Sequence, residues 1–550
     1  MSINSLMNTA RSGLNAAQLA TDTTGNNIAN AMTEGYNRQK VTLRDNIGTL
    51  SSAGFVGNGV VSHAIRREYD AFAVAELRTA QMHSSEIDTF HHQMVQIDSL
   101  FAKSSGDIQS SIQNFFSSFA NVTRNALDVS SRQGVLNSAD ALAARMRNSS
   151  EFLQQLESRL NQEISDSVLQ VNDCATEIAE LNQQIIRLRG STRAEPNALI
   201  DQRDQLISRL SQLAGVTIIK QDGSDYNIAF AGGLSLVQGG IAFKVKAMSS
   251  SSDTNRLVIG YDPGNGVFSE VKENSVQGAL AGLLRFRTEG LDSARNQLGQ
   301  LALVLADNVN RVNGEGLDLS GTRGGDFFTY NGPDVLPNSN NSTTVTTPVV
   351  SYSDTSAVQA SDYQVAFDGA NWQLTRLSDN VTTLLGGPGS YPVDGLTIII
   401  GGSAAVGDSF IIKPVSGVMA NLQQIIREPG KIAAAITVVP GAPFGPSDQR
   451  NAQEFVNLQR QKLVTGTATL SGAYAILLAN TGNKTSAAKI DSNMWANAVK
   501  QRYAEQQKTS GVNQNEESVD LERFRQLFAA NGKVIQTAST MFDALIAICR

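Results

Sequence analysis

Four histidines, two cysteines and a few acidic pairs are the side chains of this 550-residue sequence to test first for metal, nucleophilic or acid–base chemistry. The histidines are His63, His83, His91 and His92. A zinc pair on a helix needs imidazoles four residues apart on one face. His91 and His92 are adjacent, so on a helix they point about 100° apart, and His83 is too isolated to complete a site. They read as solvated side chains. Cys174 and Cys549 lie in distant segments with neither disulfide-framework nor metal spacing. Gly482-Asn483-Lys484-Thr485 has no opening glycine and places Asn483 between glycine and lysine, so it is not a phosphate loop. Asp222-Gly223-Ser224-Asp225 is too short for a calcium loop and reads as a turn. No nucleophile elbow of the G-x-S-x-G type occurs. Glu516-Glu517, and Asp201 with Asp204, fall on helical segments and read as surface charge or as partners of a helix N-terminal dipole. The expectation is a protein that is not an enzyme, with no catalytic, cofactor-binding or metal-binding residues and no cofactor.

The elements that hold these side chains are bounded by length and composition. At 550 residues with 41% hydrophobic content, several domains with real cores are expected. Charged residues make up 17% and the net charge is -7, with no basic block, which argues against nucleic acid as a partner. No stretch approaches the roughly 20 apolar residues of a bilayer span, so no membrane insertion is expected. Met1 to Asn30 contain one basic residue, Arg11, and no apolar run of the signal-peptide kind. Composition taken alone describes a soluble cytoplasmic protein.

The two ends carry the clearest periodicity. Leu521, Phe528, Ile535, Phe542 and Cys549 recur every seven residues, and Phe524, Asn531, Ala538 and Leu545 fill the intervening position. Such a heptad predicts a helix packed along another helix. At the other end Met7, Leu14, Thr21 and Ile28 form one row, and Ile3, Ala10, Ala17 and Thr24 the other. Each helix would be roughly 45 Å long. The N-terminal rows are rich in Ala and Thr, so at about 25 cal/mol per Å² they bury too little to stand alone. The pattern admits an ordinary antiparallel pair within a monomer, or a coiled coil completed by neighbouring subunits in an assembly. The predicted assembly seam is Ile3, Met7, Ala10, Leu14, Ala17, Ile28, Leu521, Phe524, Phe528, Ile535, Ala538, Phe542 and Leu545. After Ile28, Gly35-Tyr36-Asn37-Arg38 reads as a turn, and Val41 and Leu43 alternate as in a strand.

Between the ends, residues 68 to 213 read as helical. Leu153, Leu156, Leu160, Ile164, Val168, Val171, Ala175, Ile178, Leu181, Ile185 and Leu188 form one long stripe, with Cys174 at its edge as a small buried hydrophobe. A second helix runs through Leu199, Leu206, Leu210 and Leu213 and stops at Gly215. Short β-like segments follow to about Phe268. Helical spacing returns from Val276 to Val312, and a second β-like stretch runs from about Gly321 to Pro414. From Val418 onward helix is expected again. The predicted fold is therefore an α+β multidomain chain, with terminal coiled-coil helices and a long helical-bundle rod bearing two inserted, mainly-β domains. The expected divisions are 1–45 with 510–550 for the terminal unit, 46–215 with 276–318 and 417–509 for the rod, and 216–275 and 319–416 for the inserts.

Several of these segments resemble the flagellar axial protein family of rod, hook and hook-associated proteins. The N-terminal match is Ser12-Gly13-Leu14-Asn15-Ala16-Ala17, then Asn26-Asn27-Ile28-Ala29-Asn30, then Thr33-Glu34-Gly35-Tyr36. The family often has Pro where Glu34 stands and Ala or Ser where Gly25 stands. Val56-Gly57-Asn58-Gly59-Val60, Arg67-Glu68-Tyr69-Asp70, Leu199 to Leu206 and Gly482 to Thr485 are similar to the hook-associated members. So are Ser510-Gly511-Val512-Asn513, Glu516-Glu517, Val534 to Ala538 and Met541 to Leu545. The resemblance implies an extracellular structural subunit, exported by the flagellar type III apparatus and assembled with itself as a helical ring at the hook tip, joining hook to filament. It implies the hook protein and the next junction protein as neighbours. It also implies an export chaperone for the C-terminal segment, with Phe524, Phe528, Ile535, Phe542 and Leu545 as the candidate surface. The competing expectations are another axial subunit, hook- or flagellin-like, or a secreted adhesin or enzyme displayed in the β inserts.

Overall fold

The structure is a computed structural model that describes residues 3–51, 54–192, 194–220, 226–436 and 445–548. Cys549 and the turn at Asp222–Asp225 lie outside the described residues. The first helix, α1 (Ile3–Ala29), leads through a turn into strand β1 (Gln39–Asp45), the short strands β2 (Thr49–Ser51) and β3 (Gly54–Val56), and strand β4 (Val60–Arg67). β1 and β4 pair antiparallel, from Gln39 opposite Arg67 to Asp45 opposite Val60. Residues 46–67, expected in the helical rod, are thus largely a β ribbon, and it lies along α1: Val60 N donates to Ser12 Oγ at 3.1 Å. β4 reads Val60-Val61-Ser62-His63-Ala64-Ile65-Arg66-Arg67, apolar and polar in pairs, so its strand character comes from pairing with β1 and not from an alternating period.

Asp70 starts the long helices. Its carboxylate accepts from the N–H groups of Phe72 and Ala73 at 2.9 and 3.1 Å, satisfying donors that a helix start leaves unpaired. α2 (Ala71–Val122) is followed by α3 (Val129–Thr192) and α4 (Asn197–Ala214). The long stripe of α3 is fully buried from Leu153 to Ile178, and Cys174 is buried beside it; Leu188, near the helix end, is exposed. α4 stops at Gly215, whose φ of +55° lies in the left-handed region, and its N–H closes the turn onto Ser211 O at 2.9 Å.

α5 (Gly278–Phe286) passes through a π-helical turn (Arg287–Asp292) into α6 (Ser293–Glu315). Leu280, Leu283, Leu291, Leu298, Leu305, Val309 and Val312 along this run are all buried. The remaining helices are α7 (Val418–Asn421), α8 (Arg450–Leu458), α9 (Leu470–Ser510) and α10 (Gln514–Ile548). Helix does resume at Val418, as expected, but only for the single turn of α7, and long helix returns with α8 and α9. The described residues between α7 and α8 form two-residue strands and a 3₁₀ turn, pinned by Arg132, whose guanidinium donates to Ile432 O at 2.6 Å. The rod core forms where α2 packs on α3, α4, α5 and α9. At one end Phe119 of α2 stacks on Phe455 of α8 at 4.1 Å between ring centroids, and Phe115 meets Phe327 edge-on at 6.0 Å.

The first insert holds a four-stranded antiparallel sheet beginning at Val216–Lys220 and a three-stranded sheet centred on Leu257–Asp262. The second holds a five-stranded sheet in the order Asp334–Pro337, Ser409–Lys413, Tyr363–Phe367, Trp372–Arg376, Val381–Gly386. Beside it is a three-stranded sheet of Val349–Tyr352, Leu396–Ile400 and Gly389–Val393. Trp372 is buried between Phe367 and Phe410, at ring distances of 5.3 and 6.0 Å. The architecture is α+β, with long helices at both ends of the chain and several small sheets.

Candidate functional site

Small side chains decide how the two ends meet. α1 and α10 run antiparallel over most of their length: Gly13 lies against Asn531, and Asn27 against Glu517. A Cβ on Gly13 would stand 2.5 Å from Asn531 Oδ1, so any larger residue there would have to displace the Asn531 side chain. The buried face of α1 is Ala10, Ala16, Ala17, Ala20, Thr23, Thr24 and Asn27. On α10 the buried residues are Glu517 and Ala538.

The predicted seam residues therefore divide. Ala10, Ala17 and Ala538 are buried; Ile3, Leu14, Ile28, Leu521, Phe524 and Ile535 are half-buried. Met7, Phe528, Phe542 and Leu545 remain exposed, at 37%, 41%, 49% and 50%. The large side chains are not interlocked within the chain because α1 presents a flat, alanine-rich surface with few holes to receive them. Leu527, Val534, Met541 and Ile546 are exposed as well, so α10 carries a wide apolar face that its own chain does not cover.

Beneath this pair lies a knot of polar side chains. Gly35, with φ at +79°, turns the chain so that Tyr36, Asn37 and Arg38 face three different elements. Tyr36 OH donates to Asn27 Oδ1 at 2.8 Å, and Asn27 Nδ2 donates to Glu517 Oε2 and to Gln39 O, both at 2.9 Å. Arg38 Nε donates to Glu517 Oε1 at 2.6 Å, while its backbone N–H donates to Ser510 O at 2.9 Å. Asn37 Nδ2 donates to Asp201 Oδ1 of α4 at 2.6 Å. Arg67 of β4 reaches the same Asp201 at 2.6 Å and Asp204 at 3.0 Å. Burial works against the Arg67 charge, but Asp204 and Asp201 together hold its guanidinium above the ordinary range. Burial, with Asp201 and Glu517 nearby, pushes the Tyr36 phenol up to about 12, so it stays a donor.

Glu516 and Glu517 stand in the first turn of α10, where the helix dipole favours acids, and Glu516 is exposed, but the other three acids are buried. Glu517 is 1% exposed and its oxygens are shared between Arg38 and Asn27; Asp201 and Asp204 are buried and bracket Arg67. The signal available in the sequence was the joint occurrence of Asn27, Tyr36, Arg67, Asp201 and Glu517 in five separate motifs. Only the fold shows that these motifs converge. Gly482 to Thr485 lies within α9, where Lys484 Nζ donates to Glu289 O at 2.9 Å.

Three regions match known flagellar domains. Residues 7–37, which include most of α1 and its turn, match the flagella basal body rod protein family. Residues 94–328 match the flagellar hook-associated protein FlgK helical domain, and 336–414 the D2-like domain of flagellar hook-associated protein 1. Over 552 residues the chain is 41% identical to flagellar hook-associated protein 1 of Salmonella typhimurium, covering 99% of this chain and 100% of that one. This chain belongs to the flagellar hook-associated protein 1 family. The Escherichia coli member is likewise 41% identical over 551 residues, and the Bacillus subtilis member 28% over 367 residues, or 60% of this chain and 71% of that one. The flagellar hook junction protein FlgK of Burkholderia pseudomallei superposes with a TM-score of 0.73 at 27% identity, covering 79% of this chain and all of that one. Hook-associated protein 1 is a structural protein of the flagellum.

One acid in the second insert departs strongly from its ordinary range. Burial, with Asp292 close by, raises the Asp362 carboxyl to about 6. It is enclosed by Arg256 of the first insert, at 3.8 Å, within a network that includes Asp253, Lys413 and Asp292. This network ties both inserts to the start of α6, and Arg295 extends it to Glu157 of α3 at 2.8 Å.

Proposed function

We propose that this chain is a structural subunit that joins the hook of the bacterial flagellum to its filament, exported by the flagellar type III apparatus and assembled with copies of itself as a helical ring at the hook tip. The observation that carries this reading is the terminal helix pair. Its small residues are consumed in holding α1 against α10, while Met7, Phe528, Met541, Phe542, Leu545 and Ile546 stay exposed. An apolar face of that size on two long helices is suited to further helices of neighbouring subunits, in a contact that repeats without closing on itself. The hook protein lies on one side and the next junction protein on the other. Before export, a chaperone covers Phe524, Phe528, Ile535, Phe542 and Leu545, because an uncovered apolar helix face aggregates. The role is mechanical and calls for no catalytic residue.

The working division is a terminal unit of 1–45 with 510–550, a rod of 46–215 with 276–318 and 417–509, and inserts at 216–275 and 319–416. The ribbon at 46–67 packs on α1 and is better assigned to the terminal unit. Removal of the last 40 or so residues tests the arrangement. The truncated chain is expected to keep a folded rod and inserts, by circular dichroism and limited proteolysis, yet to enter no flagella. Incorporation of the truncated chain would refute the terminal-helix assembly.

A further inference from the structure

We propose that Asp88, His91 and His92 of α2 form a binding site for a first-row divalent transition cation such as zinc, nickel or copper. The adjacent histidines that spacing alone sets aside gain a third donor from one turn earlier. An Asp at position i lies beside residues i+3 and i+4 on a helix surface, so it sits between the two imidazoles. One ligand atom from each of the three lies within 4.8 Å of the others. Ligand atoms about 2.0 Å from a tetrahedral ion are about 3.3 Å apart, and rotamer adjustment can close that gap because the side chains of His92 and Asp88 are 71% and 51% exposed.

The surroundings fit coordination better than simple charge attraction. Ser492 of α9 donates to Asp88 Oδ1 at 3.2 Å, an outer contact that orients a ligating carboxylate. His92 Nδ1 lies 2.8 Å from the carbonyl oxygen of Asp88, which fixes the ring over that turn. Lys489 of α9 lies close enough to His91 to act on its charge. Lys489 repels any cation. Calcium and magnesium, which depend on hard oxygen donors, find one carboxylate here, whereas two imidazoles and a carboxylate are donors that zinc, nickel and copper accept.

The test uses tag-free, full-length protein stripped of metal, titrated with zinc chloride by calorimetry and with cobalt followed by visible absorption. One ion per chain is expected, with the absorption of a low-symmetry cobalt site. The double variant His91→Ala/His92→Ala should lose both signals with unchanged helix content. Ser492→Ala should weaken binding about tenfold, and His63→Ala, distant in sequence on β4, should leave it intact. Absence of saturable binding, or equal binding by the double variant, would overturn the site.

Discussion

Glu517 joins more of the chain than any heptad residue does. Its carboxylate is shared by Asn27 of α1 and Arg38 of the following turn, so one side chain fixes both ends of the molecule to each other. Hydrogen bonds to buried charged groups contribute about 1.5–3 kcal/mol each, and a deleted partner leaves the others unsatisfied. Glu517→Ala is therefore expected to destabilise the terminal pair by about 2 kcal/mol. Hydrogen exchange should show faster opening of α1 and α10 with the rod unaffected; unchanged protection of α1 would remove the knot's role. Asp362 gives a prediction about pH. Its folded carboxyl titrates near 6, above the value of about 3.9 for an unfolded chain. The folded state thus holds the proton more tightly, and this group's contribution to stability falls as pH rises from about 4 to about 6. Relative to the parent, Asp362→Asn should gain on the order of 2 kcal/mol between pH 4 and pH 7, read as a difference in melting temperature. A parallel shift at both pH values would contradict that assignment. Neither role could be read from the sequence, since a buried acid and a solvated one look the same without their partners.

At the scale of elements, spacing located α1, α4, α10 and the part of α3 from Leu153 onward closely, because a 3.5- or 3.6-residue apolar period over many turns has few alternative explanations. It was less informative about which residues face inward. Of the heptad rows, Ala10, Ala17, Thr24 and Ala538 are buried while Met7, Phe528 and Phe542 are exposed, and Ala16, Ala20 and Thr23 outside the rows are buried as well. A straight helix drifts from a strict seven-residue repeat by about 20° per heptad, which moves the contact line across the rows. The ribbon at 39–67 went partly unread because its strands pair across a span of loop and short hairpin, with a register shift at Thr42/Leu43. The exposed face of α10 yields its own test. Phe528→Asp should weaken chaperone binding in a pull-down and incorporation into flagella, while leaving the β inserts unchanged by proteolysis. Full chaperone binding by the variant would move the docking surface elsewhere.

For the molecule as a whole, a helical body with two small β inserts was legible from the alternation of periods along the chain. What the fold adds is connection. Arg256 ties the first insert to Asp292 at the start of α6, Lys413 ties the second insert to Asp253 of the first, and Arg67, Asp201 and Asn37 bind the rod to the termini. These ion pairs and hydrogen bonds link the terminal helices, the rod and the sheets of both inserts in one chain of contacts. The central claim is the place of this subunit between hook and filament. Electron microscopy of a strain lacking the gene, with flagellin assayed in the medium, tests it most directly. Hooks without filaments, and flagellin lost to the medium, are the predicted result; normal filaments on the mutant hooks would contradict the account.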